Sequence, residues 1–117
     1  MPEELTLQNH FLVRSEHLNH HGNLFGGQIM AEIDTAAYCL LRQAYPDTQF
    51  VTRASTFTFD NPARIGEIVL FTANVQKVGN TSVCVEVVGG IAERVVARAE
   101  VVYVSIDSEG RKTPVPK

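Results

Sequence analysis

The feature that most constrains this chain is a single change of hydrophobic period, at Pro46. Between Gln28 and Ala44, apolar residues fall at positions 29, 30, 33, 36, 37, 40, 41 and 44. That spacing predicts a helix with one buried stripe. Tyr45-Pro46-Asp47 ends it, because proline cannot continue a helix and restricts the residue before it. Afterwards the period is two. Phe50 to Phe59, Ile68 to Lys77, Thr81 to Val88 and Val95 to Ile106 alternate, and they are rich in the Val, Thr and Phe that strands prefer. Asn61 to Gly66, Gly79-Asn80 and Gly89-Gly90 separate these segments, and the two glycine-bearing dipeptides are short enough for hairpins. Residues 8–15 add a short first strand. One long central helix and an antiparallel sheet of about five strands define an α+β class. With no further helix available, the sheet is expected to wrap the one helix, leaving its other face to solvent or to another subunit.

Composition narrows the function classes. The 117 residues, 44% hydrophobic, suit a single domain spanning 1–117, with about 108–117 a polar, extended, partly mobile tail carrying Pro114 and Pro116. A formal net charge of −3 without any basic block argues against nucleic acid as a partner. Apolar runs such as Val101 to Val104 are too short for a bilayer. Met1-Pro2-Glu3-Glu4 is acidic and lacks the apolar stretch of a secretory signal. These features point to a cytoplasmic protein without membrane contact. Cys39 and Cys84 form no Cys-x-x-Cys pair and fall in apolar-patterned segments, so both are expected as buried, reduced thiols.

The chemistry concentrates between His17 and Asp34. Gly26-Gly27 lies where the helix begins, and free N–H groups there, with the positive end of the helix dipole, can stabilise a negative oxygen. Glycine admits a ligand close to that backbone, although the same pair also suits a plain tight turn. Asp34 falls on the flank of the apolar stripe, beside Met30 and Leu41, where partial desolvation would make a carboxylate more basic, as a general base requires. A solvated helix charge is the bland alternative. Gly27 and Asp34 are seven residues apart, or about 10 Å along one helix axis. One carbonyl cannot touch both, so a site using both needs two antiparallel helices and therefore a dimer.

All four histidines, His10, His17, His20 and His21, lie within residues 10–21. Three have helical ligand spacing but stand in a loop without supporting ligands, so no metal site is expected. A histidine base remains possible in type. There is no serine nucleophile elbow, Walker loop or dinucleotide fingerprint.

Asn19, Gly22, Phe25-Gly26-Gly27 and Asp34 together resemble the hotdog-fold acyl-CoA thioesterases of the YciA and cytosolic acyl-CoA hydrolase type. The resemblance continues through Phe59-x-x-Pro62-x-x-x-Gly66-Glu67, Val78-Gly79-Asn80-Thr81-Ser82 and Tyr103-Val104-x-Ile106-Asp107-x-x-Gly110. It implies a hotdog fold and hydrolysis of an acyl-CoA to free acid and CoA, with no cofactor. It also implies Asp34 as general base or nucleophile and Asn19 as the group that positions water or carbonyl. The Gly27 N–H of a partner subunit would form the oxyanion site. Phe25 and Gly26 would line the substrate, and Arg64 with Gly79, Asn80, Thr81 and Ser82 would lie near CoA. A homo-oligomer is implied, a dimer at least, with tetramer or hexamer plausible. Ser15-Glu16-His17-Leu18 departs from the family's proline and acidic residue, and His20-His21 from its smaller residues. That leaves two alternatives. One is a hotdog dehydratase acting on 3-hydroxyacyl thioesters with His20 or His21, although its proline-flanked histidine loop is absent. The other is a non-catalytic acyl-CoA-binding module, which would need neither Asp34 nor Asn19.

Overall fold

The structure, a computed structural model, describes residues 5–116; the opening Met1-Pro2-Glu3-Glu4 and the final Lys117 lie outside them. The order is β1 (Thr6–Leu12), a 3₁₀ turn (Ser15–His17), α1 (Gly26–Ala44), β2 (Gln49–Phe59), β3 (Ile68–Val78), β4 (Ser82–Ile91) and β5 (Arg94–Ile106). The strands form one antiparallel sheet in the order β1-β3-β4-β5-β2. The expected class and architecture are thus present, one helix against five strands.

The period-3.6 stripe is the reason for the packing. Ile29, Ile33, Ala36, Ala37, Leu40 and Leu41 are buried on α1. They meet the inward row of β3 (Val69, Phe71, Ala73, Val75) and of β4 (Val83, Val85, Val87). The helix packs on β1, β3, β4 and β5 but makes no substantial contact with β2. As a result β2 is exposed on both faces along most of its length, with only Phe50 buried. β2 is also a sheet edge, since β5 is its one neighbour.

A bulge at Arg53 interrupts the β2–β5 register between Thr52 and Ala54. It shifts the parity of the strand, so Phe50, Thr52, Phe57 and Phe59 all face the helix side. This follows from their partners, since Tyr103, Ala99 and Ala97 are inward residues of β5.

Three expectations need correction. Gly89-Gly90 is not a turn but part of β4, opposite Phe71 and Leu70. Gly89 is there because a Cβ would stand 2.7 Å from the Phe71 ring. The hairpin to β5 instead turns at Ala92-Glu93, with Ala92 at a left-handed φ of 53°. The first strand ends at Leu12 rather than at residue 15, because Val13 drops into the core and a 3₁₀ turn follows. The cysteines are free, but Cys39 is exposed and Cys84 half-buried. Cys39 lies off the helix stripe, and Cys84 alternates with Val83 and Val85 onto the outer sheet face.

The segment after β5 is extended, as its prolines suggest. Its polar pattern conceals an anchor: Val115 is buried, and its N–H donates to the Asn80 carbonyl over 2.8 Å. Thr113 N–H donates to the Ser105 carbonyl over 3.0 Å.

Candidate active site

The helix start is shaped by what it lacks. Its N-cap is Phe25, which supplies no side-chain hydrogen bond. A capping serine or aspartate would have satisfied one of the first N–H groups. The first intrahelical donors are Gln28 and Ile29, both to the Phe25 carbonyl, at 3.0 and 3.1 Å. The N–H groups of Gly26 and Gly27 are left without a hydrogen-bond acceptor among the described residues. Phe25 itself is pinned, its N–H donating to the His17 carbonyl over 2.8 Å, while its ring stays exposed. That ring lies over Gly27, where an added Cβ would meet it at 2.5 Å.

Asn19 organises the preceding loop. Its Oδ1 accepts from the His21 and Asn23 N–H groups at 2.9 and 3.1 Å, and its own N–H donates to the Asn23 carbonyl at 2.7 Å. It thereby holds the loop that feeds Gly26. Asn19, Asn23, Gly26, Ile29, Phe59 and Asn61 line a groove of about 300 Å³ at the helix start. Phe59 forms its wall, 3.8 Å from where a Gly26 Cβ would be.

Asp34 lies two turns along the same helix. The expectation of a partly desolvated flank is not met within one chain: Asp34 is exposed. The reason is the bare β2, since no element covers that side of α1. One contact does hold it. Tyr103 on β5 donates its phenol to Asp34 Oδ1 over 3.2 Å. Burial pushes the Tyr103 phenol far above its usual range, and the Asp34 charge, the bond to Asp34 and nearby Tyr38 add to the shift. The phenol is therefore a donor at any working pH.

Thr52 is paired directly with Tyr103 and shares its helix-facing side. Sequence reasoning quoted Tyr103 only within the family pattern and gave neither residue a place beside Asp34. Tyr103 looked like one more inward strand residue, and Thr52 like one more alternating threonine.

The remaining candidates are dispersed. Arg64 lies at the helix-start end, bridged to Asn23, with its side chain exposed. Its N–H donates to Glu67 Oε1 over 2.8 Å, and Arg94 holds Glu67 Oε2 at 2.7 Å. That backbone bond first, and Arg94 second, keep the Glu67 carboxyl below its usual range. Gly79, Asn80, Thr81 and Ser82 form the β3–β4 turn at the opposite end of the sheet, beside Ser105 and Val115. From Val83 to Gly89, β4 alone runs about 20 Å. Within one chain, then, Asn19, Gly26 and Phe59 come together, Asp34 stands about 10 Å further along the helix, and the turn at residues 79–82 is remote. His20 and His21 are exposed, their rings 4.0 Å apart. Among the described residues no group of three metal-ligating side chains occurs, and no helix is long and apolar enough to cross a membrane.

Comparison with known proteins adds to this geometry. The thioesterase superfamily profile matches residues 21–89, more than half of the chain. Mouse acetyl-coenzyme A thioesterase is 36% identical over 78 residues, 67% of this chain but only 14% of that protein's length. The acyl-CoA thioester hydrolase YciA of Salmonella typhimurium is 26% identical over 107 residues, covering 84% of this chain and 80% of that one. Among solved structures, an acyl-CoA hydrolase from Staphylococcus aureus in complex with butyryl coenzyme A and coenzyme A superposes with a TM-score of 0.86 at 29% identity. That match covers 95% of this chain and 69% of the other. A hexameric hotdog-fold thioesterase of Campylobacter jejuni gives a TM-score of 0.79 at 31% identity, covering 92% and 88%.

Proposed function

The chain belongs to the thioesterase superfamily, and from that premise we propose that it hydrolyses an acyl-CoA thioester to a carboxylic acid and CoA, at a site shared between two subunits. The observation that carries the proposal is the helix start, where Gly26 and Gly27 present N–H groups that no cap satisfies. Such donors matter most where negative charge develops, as on the carbonyl oxygen of a thioester under attack. Asp34 is a carboxylate on the same helix, too far along it to reach the same carbonyl.

The bare β2 edge supports the completing subunit. A long exposed edge with Val51 and Phe59 open to solvent is a template for strand pairing. Two β2 edges paired antiparallel set Gln49 of one chain beside Phe59 of the other. The helices then run antiparallel, and each Asp34 approaches the other chain's helix start. The Asn80 turn of one chain comes to the same end of the double sheet as the partner's Gly26, two strands in from the shared edge. This arrangement brings the remote CoA-side candidates, with Arg64, toward one substrate.

In the reaction, a water oxygen bonds to the thioester carbon while Asp34 accepts the water's proton. The carbonyl electron pair moves onto oxygen, facing the Gly27 N–H of the partner. Collapse breaks the C–S bond, and the proton leaves with CoA as its thiol. Direct attack by Asp34 is the variant of this scheme, with water then cleaving the mixed anhydride. Asn19 orients water or carbonyl in either case.

The test is free-thiol release from a panel of acyl-CoAs. Wild type turns over at least one of them, and Asp34→Ala loses more than about 99% of kcat, the scale for a general base, while remaining folded. Binding without turnover across the panel would leave only a binding module, and reversible hydration of crotonyl thioesters would mark a dehydratase. Mixing Asp34→Ala with Gly27→Pro, which deletes the N–H in the first helical turn once the exposed Phe25 ring turns aside from the new Cβ, restores activity if the site is shared. No rescue in verified mixed dimers would place the site within one subunit.

A further inference from the structure

Tyr103 is the largest of the fully buried side chains. It sits in β5, an interior strand paired on both sides, opposite Val83 on β4 and Thr52 on β2. A buried tyrosine needs a partner for its hydroxyl. Here the partner is neither backbone nor another core group but the carboxylate of an exposed helix residue, Oδ1 of Asp34, at 3.2 Å.

We propose that Tyr103 is a positioning residue: it holds Oδ1 of Asp34 from beneath, so that Oδ2 is the oxygen presented to water or thioester. The inference rests on the reading of Asp34 as the reactive carboxylate. An exposed aspartate on a helix flank otherwise samples several rotamers. One hydrogen bond to a ring fixed in the sheet removes that freedom at its base. The ring is itself braced. Tyr38, one helical turn beyond Asp34, tilts against Tyr103 with centroids 6.0 Å apart and planes at 58°. Asp34 and Tyr38 are the titratable groups acting on the phenol among the described residues. Because the phenol stays protonated, it donates to the carboxylate and takes no proton in the reaction.

The bond has two effects that oppose each other. A donor to a carboxylate favours its charged form and so weakens it as a base. The same donor fixes its direction, and orientation governs rate at a reacting centre. Removing only the hydroxyl shows which of the two governs the rate. In Tyr103→Phe, kcat falls about tenfold, the size expected for a lost hydrogen bond to a charged group, while KM stays within about twofold. The two changes are not additive: Asp34→Ala with Tyr103→Phe costs no more than Asp34→Ala alone, because the hydroxyl acts through that carboxylate.

Unchanged kcat, or a loss confined to KM, overturns the proposal. If Tyr103→Phe does not fold, difluorotyrosine at position 103 keeps the shape and strengthens the donor. A stronger donor weakens the carboxylate as a base, so kcat must then fall while KM holds, and an unchanged kcat is equally fatal. Asp34→Ala separates the two failures. If that variant retains turnover, the functional reading falls and this inference with it. If it is inactive while Tyr103→Phe behaves as wild type, only the role of Tyr103 falls.

Discussion

Gly89→Ala is expected to destabilise the protein by about 1–2 kcal/mol, through a clash that the sequence does not reveal. A Cβ on Gly89 would lie 2.7 and 2.9 Å from two Phe71 ring carbons and 3.3 Å from Val69 Cγ1. Comfortable carbon contacts are about 3.5–4.0 Å, so the overlap with the ring is close to 1 Å. Phe71 and Val69 are both fully buried, so the ring cannot swing into solvent. Overpacking of this kind costs about 1–3 kcal/mol. Alanine also lowers the entropy of the unfolded chain, which offsets about 0.4–1 kcal/mol. Urea unfolding at fixed protein concentration is the assay, since association would make the midpoint concentration-dependent. With a slope of about 1–2 kcal/mol per molar, the midpoint drops by roughly 1 M at unchanged slope. Combining Gly89→Ala with Phe71→Leu should cost less than the sum of the single changes by about 1 kcal/mol, because the shorter side chain relieves the overlap. A Gly89→Ala midpoint at or above wild type, or strict additivity in the pair, would refute the packing argument.

The hairpin that replaces the expected glycine turn makes the complementary prediction: Ala92→Gly removes the strain of φ 53° and should stabilise the protein by about 0.5–1 kcal/mol, read as a higher urea midpoint. A lower midpoint would show that the turn is not strained at that residue. Glu67 titrates below its ordinary value of 4.5, because the Arg64 N–H and then Arg94 favour its charged form. Its contribution to stability is therefore present above that value and fades as pH falls through the lowered one. Arg94→Gln should return the Glu67 carboxyl part of the way upward in a ¹³C titration, and a complete return would mean that the Arg64 bond contributes nothing.

The fold was legible because its two periods are strong and local. Alternating Val69, Phe71, Ala73 and Val75 can only be a half-buried strand, and the stripe from Ile29 to Leu41 can only be a helix against it. The Asn19-to-Asp34 block was nominated for another reason: its order and spacing are a linear signature, and a free helix start needs only a residue that cannot cap, here Phe25, ahead of the glycines. Errors arose where one residue type serves two purposes. Gly89-Gly90 has turn chemistry in isolation, and only the Phe71 ring on the neighbouring strand makes it a strand pair. Cys39 and Cys84 are apolar enough for a core, but their positions within each period put them outside it. Val115 is one apolar residue among prolines and lysines, and its burial depends on Asn80 and Ser105, which are distant in sequence.

By itself, then, the sequence determined one helix and an antiparallel sheet, and it nominated the stretch proposed for the chemistry, because each is encoded in spacings of a few residues. Tertiary structure decided which groups meet. The bond from Tyr103 to Asp34 joins residues 69 positions apart, and no local period reports such a pairing. The uncovered β2 likewise follows from where α1 comes to rest across the sheet. Side-chain volumes and strand order set that resting place only when the whole core closes.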